Sequence, residues 1–234
     1  MRNVITILVR ELRSLFNSAT AYIIMVVFLG LSGWFFASSL FLQGVASLRS
    51  VFETTPFLLL FFAPAITMRT ISEEKKVGTI ELLLTKPVKD DEIILGKFLA
   101  AWAFFALALV PTLVYLVSVL LVGKVDPGPI IGGYLGLLLL GGGFLALGII
   151  GSALSENQVV AFIVSFLIMF AFFIVDKVVA FLPASLASIV EYFGIDYHFS
   201  NIARGVIDTR DLVYYISLIG FSLMVATSLL ERRK

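Results

Sequence analysis

The residues of this chain that could do chemistry are concentrated in one stretch. Residues 69–97 hold 12 of the 33 charged side chains of the whole sequence. At its centre lies Ser72-Glu73-Glu74-Lys75-Lys76-Val77-Gly78-Thr79-Ile80-Glu81-Leu82-Leu83-Leu84-Thr85-Lys86-Pro87. Carboxylates and amines alternate there with Val77, Ile80 and Leu84 at i, i+3 and i+7, with Leu83 beside them. Bond-making would need partners that are missing. Cysteine is absent, which removes thiolate nucleophiles and Cys metal sites, and a lone His198 excludes a multi-histidine cluster. No G-x-x-x-x-G-K-[ST] phosphate loop occurs, so the chain is expected to bind neither nucleotide nor any other cofactor itself. The remaining chemistry is recognition: charges held in water beside an apolar stripe that needs something to dock against.

The elements that carry this stretch are membrane helices. The chain of 234 residues is 60% hydrophobic and 14% charged, with a mean hydropathy of +1.06, whereas soluble domains carry about 25% charged residues. A charge at the bilayer centre costs roughly 2.5–3.5 kcal/mol, so submerging residues 69–97 would cost on the order of 30 kcal/mol. The stretch must therefore lie outside the bilayer. The net charge of +1 gives no argument for nucleic acid, because the charges are sorted by membrane side rather than pooled in a patch.

Read in order, residues 1–17 are too polar to span, but Ile5, Leu8, Leu12 and Leu15 repeat at helical spacing and predict an amphipathic interfacial helix. The apolar run that follows is too long for a cleavable signal peptide. Residues 14–48 carry no charge, and a first span is expected at about 19–41. Arg49 and Glu53 mark a short loop. A second span at about 55–68 contains Pro56 and Pro64, the latter a candidate kink, and its true start is expected before Glu53. Asp90, Asp91 and Glu92 suit the start of the next helix, where acids complement the positive end of its dipole. Span three runs over about 93–122. The turn Asp126-Pro127-Gly128-Pro129 leads to a glycine-rich span four at 131–154, in which Gly132 and Gly136 form a small-xxx-small pair. Ser155-Glu156-Asn157-Gln158 is a tight turn into span five, about 159–175, closed by Asp176-Lys177. Residues 178–211 are too polar to span and too apolar for a free loop, which suggests short helices at the interface. Span six covers about 212–230.

The predicted architecture is thus an all-α polytopic membrane protein of one domain: six spans, an interfacial helix at 1–17, a coupling loop at 70–92 and an external segment at 178–211. Six spans put both termini on one side. That side carries 12 of the 17 Lys and Arg residues, so the termini and the charged stretch are expected in the cytoplasm of a plasma-membrane protein. Ion-coupled transporters and proton relays need ionisable groups at depth, yet the interiors of five spans have none. Energy is therefore expected to arrive from outside the bilayer. Within the charged stretch, Ser72 can cap a helix with Glu73 and Glu74 in its first turn, Gly78-Thr79 can break it and start another at Ile80, and Pro87 ends it.

Residues 74–88, followed by Ile94-Leu95-Gly96-Lys97-Phe98, resemble the first cytoplasmic loop of ABC-2 type transporter permeases, most closely the gliding-motility-associated permeases. The likeness extends to Asn157-Gln158-Val159-Val160-Ala161 and to the residues from Arg204 to Leu212, and the six-span plan brings in essentially the whole chain. The resemblance implies a non-catalytic permease subunit whose coupling helix, with Glu73, Glu74, Val77, Gly78, Thr79, Ile80, Glu81, Leu83 and Leu84, seats in a separate ATP-binding cassette subunit. It further implies that the N-terminal helix braces that ATPase, that ATP and magnesium are bound there, and that a second permease subunit, identical or paralogous, encloses the pathway. Export is the family default, and an auxiliary membrane protein stays open. Glu156, Asn157 and Gln158 would form the second cytoplasmic turn. Gly205 and Asp208 read as a helix C-cap glycine and an N-cap, His198 as a polar interface residue, and Trp34 and Trp102 as belt or packing residues. An ion-coupled or passive transporter and a non-transporting membrane scaffold remain the alternatives.

Overall fold

The computed structural model describes residues 2–79, 88–123, 126–183 and 190–231, and within them every regular element is helical. Helix α1 (Arg2–Phe16) precedes α2 (Ala19–Ala37), which runs on through a π-helical turn, Ser38–Leu42. Helix α3 (Arg49–Thr67) leads to the short α4 (Ser72–Val77). Next come α5 (Asp90–Leu109), a 3-10 turn (Val110–Thr112) and α6 (Leu113–Val122). The chain then forms α7 (Pro127–Leu154), α8 (Gln158–Val178), α9 (Ile195–Ala203) and α10 (Thr209–Glu231). Six segments are long and apolar enough to cross a membrane: Ala19–Leu42, Arg49–Val77, Asp90–Val122, Pro127–Leu154, Gln158–Val178 and Thr209–Glu231. Both ends of the chain therefore lie at one end of the bundle, the near end. There too lie α4 and the α7–α8 turn, while residues 43–48, Asp126 and α9 lie at the far end.

Several boundaries differ from those expected, each for a local reason. Arg49 and Glu53 are not in a loop: they pair across one turn at 2.7 Å inside α3, which indeed starts before Glu53. The helix continues through Pro56 and Pro64. Asp126-Pro127-Gly128-Pro129 is a helix start rather than a separating turn. Asp126 accepts the Gly128 N–H at 3.1 Å, and Pro127 takes the first helical position, where its missing N–H does no harm. Asp176 and Lys177 fall within the last turn of α8 instead of closing it. Span three is interrupted at Pro111, where α5 passes into the 3-10 turn.

Helix α7 is the axis of the bundle and packs on α3, α5, α8, α9 and α10. Its glycines make that possible. A methyl group on Gly141 would lie 2.2 Å from the Phe105 ring, and one on Gly151 2.1 Å from Ser165 Oγ. The Gly132/Gly136 pair faces α9 rather than another span, with Gly132 lying against the Ile202 carbonyl and Gly136 against Phe199. Close approach of this kind supplies dispersion contacts, the main attraction available between helices in lipid.

Helix α1 packs along α5. Ile7 is buried beside Ile93 and Val88, and Gly96 leaves room for it. The expected stripe is correct for Leu12 and Leu15, which pack against the core, but Ile5 is 61% exposed. The docked face is instead set by Ile7, a position that Gly96 admits.

Candidate functional site

The near end holds α4 in a set of polar contacts drawn from three other elements. The backbone N–H groups of Ile71 and Ser72 donate to Ser152 Oγ at 3.0 and 3.2 Å, and that hydroxyl donates to the Met68 carbonyl at 3.2 Å. Ser72 does not cap the helix. Ile71 takes the N-cap position, and the Ser72 hydroxyl donates back to the Met68 carbonyl. Lys75 is buried and donates to the Ala153 carbonyl, placing a cation at the negative end of α7.

Lys97, on α5 and only 2% exposed, lies at the centre. Its ammonium meets Glu74 at 2.9 Å, Glu11 at 3.2 Å and the Thr70 carbonyl at 2.7 Å. Arg10 completes the cluster, 2.6 Å from Glu11 and 3.2 Å from Glu74. Burial works against ionisation of the Glu11 carboxyl, but Lys97 and Arg10 together outweigh it and hold its pKa below the usual carboxylate value. For Arg10, desolvation opposes the charge, yet Glu11 and Glu74 raise its pKa above the ordinary guanidinium value.

Adjacent glutamates thus have different surroundings. Glu74 turns inward to Lys97 and Arg10, while Glu73 pairs with Arg69 at 3.1 Å on the half-buried side. Arg69 also donates to Ser18 at 3.4 Å and Thr20 at 3.2 Å, which carries the connection to the start of α2. The C-terminal end of α4 is open: Lys76 and Val77, and Gly78 and Thr79 just beyond them, are exposed. Gly78 ends the helix with φ +76°, a left-handed conformation that glycine adopts without strain. Ile80, Glu81, Leu83 and Leu84 lie outside the described residues.

The second turn packs near α4 at the same end. Asn157 Oδ1 caps α8 by accepting the Val159 N–H at 2.9 Å, Glu156 is exposed, and Gln158 is the first helical residue. At the far end Gly205, with φ +87°, follows the Arg204 C-cap of α9, and Asp208 accepts the Arg210 N–H at 2.9 Å where α10 begins. His198 is more than an interface residue. It is buried, 2.6 Å from Asp211 and 3.1 Å from the Tyr192 carbonyl, and stacks on Tyr214 with ring centroids 4.0 Å apart. Trp102 packs and donates to the Leu138 carbonyl at 2.9 Å, whereas Trp34 is 69% exposed.

Sequence reasoning passed over Lys97, Ser152, Glu11 and Arg10 as members of this site. One signal was available: a lysine inside the apolar run Ile94-Leu95-Gly96-Lys97-Phe98 is a charge that must find a partner.

A bundle of six apolar spans with a charged helix fastened at one end defines a multi-pass membrane protein. The sequence model of the family described as ABC-2 family transporter protein matches residues 11–228. The chain belongs to that family and is a non-catalytic permease component of an ABC transporter. No curated protein matches it.

Proposed function

We propose that this chain converts ATP hydrolysis on a separate cassette subunit into movement of its own spans, using α4 as the element that is pushed. The observation that carries the reading is that α4 is fixed along its length and open at its end. It is tied to α1, α5 and α7 through Glu74, Lys75 and the Ile71 and Ser72 amides, and its C-terminal end presents Lys76, Val77, Gly78 and Thr79 to whatever docks there. A push on such a helix is transmitted to three elements at once. Glu73, Ile80, Glu81, Leu83 and Leu84 extend the docking surface, ATP and magnesium belong to the partner, and a second permease subunit completes the pathway. The excess of Lys and Arg at the near end supports a cytoplasmic placement of both termini in the plasma membrane, with transport running outward. Within the family, the loop motif favours the gliding-motility-associated permeases.

The test is purification from native membranes in mild detergent. A cassette ATPase should accompany the wild-type chain and be lost from Val77→Asp, whose exposed position leaves the bundle intact. An ATPase retained by Val77→Asp, or solute flux through the purified chain alone, would overturn the reading.

A further inference from the structure

The far end of the bundle contains a cavity of about 780 Å³ that no step of coupling uses. Its walls come from the start of α3, the first turn of α7, the last turn of α8 and one side of α9. Ligand sites typically enclose roughly 300–1,000 Å³, mostly apolar, with a few convergent polar groups. The apolar wall here is Leu48, Phe52, Ile130 and Phe199, and six charged residues surround it: Arg49, Glu53, Asp126, Lys177, Asp196 and Arg204.

The charges are not equivalent. Arg49 and Glu53 neutralise each other at 2.7 Å, and Lys177 and Asp196 do so at 2.9 Å. Asp126 and Arg204 remain. Among the described residues neither meets an opposite charge, although Asp126 also caps α7. One unneutralised anion and one unneutralised cation, over an apolar wall, complement a ligand that carries both signs and a hydrocarbon body. The position gives the source. Arg49, Asp126, Lys177 and Arg204 stand at the ends of helices at the far end of the spans, the level at which lipid headgroups lie.

We propose that this cavity binds a zwitterionic phospholipid, with the phosphate at Arg204, the headgroup ammonium at Asp126, and acyl chain against Phe52 and Phe199. Guanidinium is well matched to phosphate because it donates two parallel hydrogen bonds. Phosphatidylglycerol carries a neutral glycerol in place of the ammonium and would leave Asp126 without a cation. The site does not depend on α4, so it stands or falls separately from the coupling reading.

Native mass spectrometry of the delipidated chain, with phosphatidylethanolamine or phosphatidylglycerol added back, tests the assignment. The wild type should retain phosphatidylethanolamine about tenfold more tightly, as one surviving charge contact requires. Asp126→Asn should remove that preference while keeping the helix cap, and Arg204→Gln, which removes the contact to the phosphate that both lipids carry, should weaken retention of both. If one variant does not fold, the other still tests its own half of the site, the ammonium at Asp126 or the phosphate at Arg204. Co-purification of the ATPase should be unchanged in both. Equal retention of the two lipids, no retained lipid, a preference that survives Asp126→Asn, or retention unchanged by Arg204→Gln would overturn the proposal. So would equally tight binding of free phosphoethanolamine, which would make the occupant a soluble zwitterion.

Discussion

An ammonium group has three protons to donate, and Lys97 meets three acceptors, so its charge is buried without an unmet donor. Removing it leaves Glu11 and Glu74 facing each other with Arg10 alone to offset them. Lys97→Met should cost roughly 1–3 kcal/mol, seen as a lower melting midpoint and faster proteolysis of α1. Glu11 adds a pH dependence of known sign. Its pKa in the folded protein lies below that of the unfolded chain, so its contribution is complete above the ordinary carboxylate range and is lost as pH falls through the folded value. Detachment of α1 should therefore set in as pH falls below the ordinary carboxylate range, followed by loss of a cysteine crosslink between α1 and α5. Glu11→Gln should lack that dependence, and an identical acid profile in the variant would contradict the assignment.

At the scale of elements, α1 and α4 owe their places to what α5 and α7 leave open. Gly96 is the decisive position. A Cβ there would lie 2.8 Å from the Ile7 Cβ and 3.1 Å from the Val4 carbonyl, and the second of these is backbone and cannot turn aside. Gly96→Val should push α1 off α5 at a cost of about 1–3 kcal/mol, separating Arg10 and Glu11 from Glu74 and Lys97. A cysteine pair across α1 and α5 should crosslink in the parent and fail in the variant. Helix α4 has only six residues, too short to be stable by itself. Its order comes from Ser152, Lys75 and Lys97, which is also why a force on it reaches α5 and α7.

For the whole molecule, the close approach of α7 to its neighbours sets stability. Gly151 lies against the Ser165 backbone, where a Cβ would come within 2.7 Å of the amide nitrogen, whereas nothing lies within 4 Å of a Cβ on Gly220. Gly151→Leu should force α7 and α8 apart and lower the melting midpoint by the equivalent of about 1–3 kcal/mol or more. Gly220→Leu should leave it unchanged, since no other part of the chain lies within 4 Å of a Cβ there. Similar losses at both positions would show that packing on α7 is not what holds the bundle.

The number of spans, their order and the charged stretch between the second and third were legible in the sequence, because transfer of side chains between water and lipid is a nearly additive property of each residue. The cap readings of Gly205 and Asp208 rest on a similar ground, since caps depend on neighbours within a few positions, whereas the Asn157 cap reads from the sequence only as part of a turn. Which glutamate faces inward was not legible. Glu73 and Glu74 are adjacent and chemically alike, and they differ only because Lys97 and Arg10 arrive beside one of them. Arg10 and Glu74 are 64 positions apart, and Lys97 and Glu11 are 86 apart. Helical periodicity does not extend over such separations. Only the packing of α1 and α4 on α5 brings these charges within hydrogen-bond range, and only the meeting of four elements at the far end gathers Asp126 and Arg204, without an opposite charge among the described residues, around one cavity.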